Sequence, residues 1–328
     1  MTHRPESGLS ASVVICCYTD ARWDDLGDAV RAARALDPPA DEVVVVVDHN
    51  PPLGERLRAL FPDLAVVDNA GERGLSGARN AGIAASRGDL LVFLDDDAVA
   101  DPGLLGHLAW QAARPGVLGA GARILPAWRG ARPVWFPDEF LWVVGCTYAG
   151  LRPGPVRNLI GAAMAVRRTV FGSVGGFEEA LGRTRTGLPL GCEETELCIR
   201  ARAADPAGRF VYEPEAVCHH RVVPDRATWR YLVRRCFAEG LSKAHLATLA
   251  GAAPAMSTER AYALRTLPRG VLRGLAAGLA GDLSGFGRAG AIGLGFAVTA
   301  SGYALGRLRR AGPARPPLPG AARPLPAE

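Results

Sequence analysis

The stretch Gly74–Leu105, GLSGARNAGIAASRGDLLVFLDDDAVADPGLL, decides how the rest of the chain is read. Its first part is a glycine-bearing turn followed by small residues. Leu75, Ala78, Gly82 and Ala85 recur on one face, so the spacing predicts a closely packed helix over 75–85. The apolar run Leu90–Leu94 then leads directly into Asp95, Asp96 and Asp97. Further short β-rich runs at Ser12–Cys17, Glu42–Val47, Leu64–Asp68 and Val117–Ile124 alternate with helical patterns. Val43–Val47 is apolar on both faces, as a buried parallel strand is. Strand–helix alternation predicts βαβ units and an α/β fold with a mostly parallel sheet flanked by helices. Ligands of such sheets bind beyond the carboxyl ends of the strands.

Length and composition agree with a globular chain that has a sizeable core. Of 328 residues, 48% are hydrophobic and 22% charged. The seven cysteines form no CxxC pair and no zinc-like spacing, which reads as reduced thiols. Residues 1–12 contain no apolar run suited to an export signal. The net charge of +5 is unevenly placed: from Arg265 onward, nine arginines face only Asp282 and Glu328. The preceding body is therefore mildly acidic, which argues against nucleic acid as a partner. A basic tail mixed with apolar residues points to a membrane surface.

Other segments are read more coarsely. Residues 126–160, rich in Pro, Gly and Trp, read as irregular chain over a site, and with 178–192 they are expected to shape it. Arg168–Val174 and Glu193–Ala204 read as helices, and Arg209–Cys218 as a strand. A helix is expected after Asp225 as N-cap, with Trp229, Leu232, Val233, Cys236 and Phe237 on its buried face and Arg226, Arg230 and Arg234 along a basic edge. Leu264–Leu283 carries Arg265, Arg269 and Arg273 at four-residue spacing, which suits an interfacial helix. Ala289–Gly306 is 18 residues without formal charge, close to the ~20 needed to span a bilayer.

Several clusters have the residue types that chemistry needs. Asp95–Asp97 suit Mg²⁺ or Mn²⁺, which take oxygen ligands; the alternative is a helix cap with solvated neighbours. Asp48, after the second strand, could accept hydrogen bonds from a base or ribose, or serve the turn. Arg79, one turn into its helix, suits a diphosphate or is solvated. Glu193, Glu194 and Glu196 suit either a helix dipole or a general base. His219 and His220 point to opposite faces of a strand, so one of them at most completes a metal shell. GxGxxG and GxxxxGK[ST] are absent, which disfavours a dinucleotide dehydrogenase and a P-loop NTPase.

The succession SVVICCYTD, EVVVVVDHN, RGLSGARNAGIAASRGDLLVFLDDDAVADPGLL, VGGFEEAL and GCEETELCIRARA resembles a family 2 glycosyltransferase of the GT-A fold over roughly residues 10–245. The block HHRVVPDRATWRYLVRRCFAEGLSKA is similar to the branch that includes polyprenyl-phosphate-linked sugar transferases. The resemblance implies nucleotide-sugar contacts at Asp48, Arg79 and Asp95, a DxD metal motif at Asp95 and Asp97, and a catalytic base at Glu194 or Glu193; beside these, Asp96 is expected at the nucleotide-sugar and His220 as a further metal ligand. Glu194 stands where the family usually has Asp, Cys16-Cys17 replace a common Pro-Thr, and Thr19 replaces a common Asn.

The expectation is therefore an inverting, metal-dependent transferase. It moves a sugar from a nucleotide diphosphosugar, UDP-sugars first, to a hydroxyl of a glycan or lipid-linked acceptor. Rival expectations are a sugar-phosphate nucleotidyltransferase, which would need a basic Gly-rich loop that residues 15–25 lack, and a non-catalytic membrane-bound subunit. The expected organisation is a disordered stretch 1–10, a GT-A domain 11–250, a membrane-associated helical region 251–310 and a disordered Pro-rich tail 311–328. The catalytic domain is expected in the cytoplasm, at the cytosolic face of a membrane.

Overall fold

The computed structural model describes residues 8–181, 191–249 and 259–310. The expected disorder at 1–7 and in the Pro-rich tail, and most of 178–192, lie outside the described residues.

One nine-stranded sheet organises the fold. Its first half is the expected parallel one: β3 (Ala65–Asp68), β2 (Glu42–Val47), β1 (Ala11–Cys17) and β4 (Leu90–Asp95), in that order. β8 (Ala163–Arg167) adds antiparallel to β4, followed by β6 (Val117–Trp128) and β9 (Arg209–Val222), with β5 (Ala98–Ala100) and β7 (Gly154–Val156) paired to β9. The sheet is thus parallel where βαβ units build it and mixed beyond β4, in a GT-A-like arrangement.

Alternation along β1 sends side chains to two cores. Val13 and Ile15 join Leu26 and Val30 of α1 (Trp23–Arg34) and Leu104 and Leu108 of α4 (Leu104–Ala112). Val14 joins Val44, Val46, Ala78 of α3 (Leu75–Ala85) and Leu197 of α6 (Glu193–Ala204) on the other face. There Phe93 meets Phe171 of α5 (Arg168–Val174) and Phe177 edge to face, at 6.0 and 5.4 Å between centroids. α2 (Pro51–Leu60) connects β2 to β3.

The structure departs from expectation where long-range pairing overrides local pattern. β6 runs on to Trp128 and β9 to Val222 because the two strands pair to their ends. Residues 126–160 contain a 3-10 helix, Asp138–Val144, besides β7. Asp225 does not cap the long helix: it sits in a 3-10 turn, Pro224–Arg226. The helix, α7 (Trp229–Leu249), is capped instead by Thr228, whose Oγ1 accepts from the Tyr231 amide at 3.2 Å.

After a helical turn at Glu259–Ala261 and a π-helical turn at Tyr262–Thr266, α8 (Leu267–Leu279) and α9 (Ser284–Arg310) form an antiparallel pair. α9 crosses α7 at glycines. A Cβ on Gly240 would stand 2.1 Å from the Thr299 carbonyl oxygen, and one on Gly302 2.3 Å from that of Phe237. Among the described residues, Ser284–Arg309 of α9 is long and apolar enough to cross a membrane by length and composition, yet a third of its apolar window is buried against the protein. Leu272, Leu275, Leu279, Leu283, Leu294 and Phe296 are exposed.

Gly240→Ala forces α7 and α9 apart. The expected loss is about 1–3 kcal/mol, the usual cost of overpacking, read as a lower midpoint in urea unfolding.

Candidate active site

The site forms where β4 ends. Asp95 closes that strand opposite Cys16 of β1, and the chain turns through Asp96 and Asp97 into β5. β5 pairs with β9 so that Ala98 faces His220. This register brings the His220 Nε2 to 3.0 Å from Asp97 Oδ1. One donor atom from each of Asp95, Asp97 and His220 falls within 4.8 Å of the others. His219 points away, toward Asp101, as strand alternation requires. Burial opposes charging His220, but the Asp97 carboxylate outweighs it and lifts the imidazole to about 10. Asp97 is correspondingly held well below the usual carboxylate range.

Asp96 faces a different partner. Arg22, from the turn after β1, reaches its Oδ1 at 2.5 Å and Asp97 Oδ2 at 3.2 Å. Burial still pushes Asp96 up to about 6. Asp96 Oδ2 is buried with no hydrogen-bond donor among the described residues. Two carboxylates, an imidazole and an unsatisfied buried oxygen form a donor set that fits a divalent cation of the Mg²⁺ or Mn²⁺ type.

Arg79 links this set to the acidic helix. α3 places it under the sheet end, buried, with Nη1 3.0 Å from Glu193 Oε1 and Nη2 3.5 Å from Asp95 Oδ1. Nη2 also donates to the Gly161 carbonyl at 3.0 Å. A Cβ at residue 161 would come within 2.7 Å of that nitrogen, so glycine there makes room for the guanidinium. The sequence suggested a diphosphate contact or a solvated side chain; the structure shows a buried clamp.

Glu194 lies beside this clamp, outside its ion pairs. Its Oε2 is buried without a partner. Burial and the neighbouring Glu193 push its carboxyl up to about 8, against a partial pull from Arg79. Cys192, immediately before, holds a left-handed backbone at φ 76°, a conformation disfavoured for any residue with a Cβ. Glu196, the third acid of the turn, is paired with Arg200 four residues on and is structural.

Asp48 is placed differently. Its Oδ1 accepts from Asn69 at 2.8 Å and its Oδ2 from the Gly74 amide at 3.0 Å. Both oxygens thus hold the turn before α3, and the residue lies outside the wall of the central cavity.

That cavity, about 670 Å³, is lined by Arg22, Arg79, Asp95, Glu193, Glu194 and His220. α7 and the C-terminal helices line it too, through residues that the sequence reading passed over. Arg230 and Arg234 are exposed on α7, whereas Arg235, Glu239 and Lys243 face the cavity. Their i, i+4 spacing was the available signal. Of the expected basic edge only Arg226 lines the cavity, 3.7 Å from Asp97.

Comparison with known proteins decides the family. Residues 12–175 match glycosyl transferase family 2. The glucosyl-dolichyl phosphate glucuronosyltransferase of Haloferax volcanii is 31% identical over 241 residues, covering 72% of this chain and 76% of that protein. The chain belongs to glycosyl transferase family 2. The succinoglycan biosynthesis protein ExoM of Rhizobium meliloti is also similar, 27% identical over 254 residues, with 74% and 76% covered. Among solved structures, the mannosyltransferase PcManGT from Pyrobaculum calidifontis, in complex with GDP-Man and Mn²⁺, superposes with a TM-score of 0.57 at 19% identity, covering 91% of this chain and 89% of that one. This likeness confirms the GT-A-like fold. The protein is a glycosyltransferase, and its Asp95–Asp97 pair fits the DxD acids of the metal-dependent type.

Glu194 makes stability depend on pH with a defined sign. Its carboxyl titrates near 4.5 in the unfolded chain and about 8 in the native one, so its ionisation costs the native state progressively as pH rises through that window. Glu194→Gln removes this cost. Its Tm in EDTA should equal that of the parent near pH 4.5 and exceed it increasingly up to pH 8. A constant offset at all pH values would mean that Glu194 is already ionised in the native protein.

Proposed function

We propose that the protein transfers a sugar, with inversion, from a nucleotide diphosphosugar to a hydroxyl of a lipid-linked or cell-envelope glycan at the membrane surface. The observation that carries this reading is Glu194, with its buried, unpartnered Oε2, in one cavity with Asp95 and His220, whose donor atoms cluster with that of Asp97.

Each group then has a task. Asp95, Asp97 and His220 would hold a divalent cation, which would supply positive charge to the departing diphosphate. Arg22 fixes Asp96 and Asp97, and Arg79 fixes Asp95 relative to Glu193. Glu194 takes the proton of the acceptor hydroxyl as its oxygen bonds to the anomeric carbon. The bond from that carbon to the diphosphate breaks, and its electron pair leaves with the phosphate oxygen. Glu193 is committed to Arg79, so a single displacement fits better than a double one through a carboxylate nucleophile. Each displacement reverses the anomeric centre, so one inverts it.

UDP-sugars are the first donor candidates, and the GDP-Man bound to PcManGT makes GDP-sugars the second. A lipid-linked acceptor draws support from the Haloferax volcanii relative. The organisation that goes with this reading is a catalytic unit over 11–250 and a membrane-associated region over 251–310. That region lies on the cytosolic face, with exposed Leu272, Leu275 and Leu279 in the acyl boundary and exposed Arg265 and Arg269 at anionic headgroups.

Release of nucleoside diphosphate from UDP- and GDP-sugars with Mn²⁺ tests the reaction. Activity should vanish in excess EDTA and in Asp97→Asn. Glu194→Gln should lose ~10²–10⁴-fold in rate while its donor Kd is unchanged. Glu193→Gln should lose less in rate and more in stability. The reverse rate ranking would make Glu193 the base.

The membrane arm has its own test. The protein should float with anionic vesicles at low salt, and replacing Leu272 and Leu279 by Asp should leave it in the soluble fraction. Flotation unaffected by that double change would place the contact elsewhere.

A further inference from the structure

The part of the cavity lined by α7 has a charge pattern that the transfer chemistry does not use. Arg235 Nη1 is 2.8 Å from Glu239 Oε2, and Lys243 Nζ is 3.2 Å from Glu239 and 2.6 Å from Glu259. Arg157 Nη1 is 2.7 Å from Glu259 Oε2. All five side chains line the cavity and are largely buried, at 8–19% exposure. Three cations face two carboxylates, which leaves one positive charge in excess inside a low-dielectric wall. Both carboxylates are held ionised: burial raises them, but Lys243 and its arginine neighbours bring Glu239 down to about 2 and lower Glu259 as well. The excess is therefore not removed by protonation near neutral pH.

This cluster adjoins the proposed base. The Gly191 amide donates to Ser242 Oγ at 3.1 Å, and Cys192 Sγ lies 3.8 Å from Glu239 Oε1. The residues just before Glu193 and Glu194 are thereby fastened to α7. Next to the charges the wall is apolar and comes from the C-terminal helices, through Leu267, Phe296 and Tyr303 with Tyr262 from the preceding turn. Phe296 lines the cavity and is half exposed, at 51%. The apolar wall thus includes solvent-accessible surface on α9, two residues from the exposed Leu294.

A buried positive excess beside the base, followed by an apolar exit, matches a molecule with an anionic group between a reacting head and an apolar tail. We infer that Arg157, Arg235 and Lys243 form an acceptor subsite for the phosphate of an amphiphile whose apolar chain leaves past Phe296. The inference rests on the transferase reading of the same cavity. An uncharged polyol would leave the positive excess without a counter-charge, and a free sugar would leave the apolar exit unused.

The test uses the full chain, saturated with Mn²⁺ and UDP so that the diphosphate site is filled. Farnesyl phosphate, farnesol and inorganic phosphate are titrated in parallel by calorimetry. Farnesyl phosphate should bind at least tenfold more tightly than either of the others, because it alone supplies both the charge and the chain. Lys243→Met should abolish its advantage over farnesol with the UDP Kd unchanged, and Lys243→Arg should retain it. Should Lys243→Met fail to fold, Phe296→Ser decides: it should weaken farnesyl phosphate and leave inorganic phosphate as it was.

Equal binding of farnesol and farnesyl phosphate would overturn the inference in favour of a charge-blind apolar pocket. Inorganic phosphate binding as tightly as farnesyl phosphate would overturn it in favour of a plain anion site. Loss of farnesyl phosphate binding with UDP binding intact defeats the subsite alone. Failure of UDP itself to bind defeats the transferase reading, and the subsite with it.

Discussion

The site depends on one buried guanidinium. Arg79 stands between Asp95, the last residue of β4, and Glu193, the first residue of α6, with the Gly161 carbonyl as a third acceptor. Burying a cation costs several kcal/mol unless its partners are well placed, and removing one partner of such a pair costs about 3–5 kcal/mol. The pairing therefore fixes the distance between the sheet end that carries the metal acids and the helix that carries Glu194. It also engages Glu193 Oε1 and leaves Glu194 outside the pair, so the two adjacent carboxylates sit in different environments. Glycine at 161 is part of the same arrangement, since any side chain there would displace the guanidinium.

Much of this was legible beforehand. The helix bounds Leu75–Ala85, Arg168–Val174 and Glu193–Ala204 coincide with the structure because each pattern lies between clear turn signals. The acids at the end of Leu90–Leu94 were conspicuous, and strand alternation alone limited the two histidines to one metal candidate. What the sequence concealed were partners distant along the chain. Arg22 and Asp96 are 74 residues apart, and Arg79 and Glu193 are 114. No local pattern distinguishes such arginines from solvated ones. The face of α7 was misread for a related reason: Arg226, Arg230 and Arg234 share a spacing, but the helix begins after Arg226, and packing against α9 turns Arg235, Glu239 and Lys243 inward.

The C-terminal helices contribute to the cavity as well as to the outer surface. Crossing at Gly240 and Gly302 brings α9 close enough for Phe296, Thr299 and Tyr303 to join the cavity wall. The same helices expose leucines and arginines outward. A segment that reads in sequence as an appendage is therefore a wall of the central cavity on one side and an apolar, basic surface on the other. Under the proposed function, that continuity would give an acceptor a path from the membrane plane to Glu194.

The measurement closest to the central claim is the anomalous difference map of a crystal grown with Mn²⁺ and UDP. The account predicts one peak bound by Asp95, Asp97 and His220, with Arg79 still bridging Asp95 and Glu193 and with Glu194 free of the metal. A peak ligated by Glu194, or an Arg79 that has left Glu193 for the diphosphate, would contradict it.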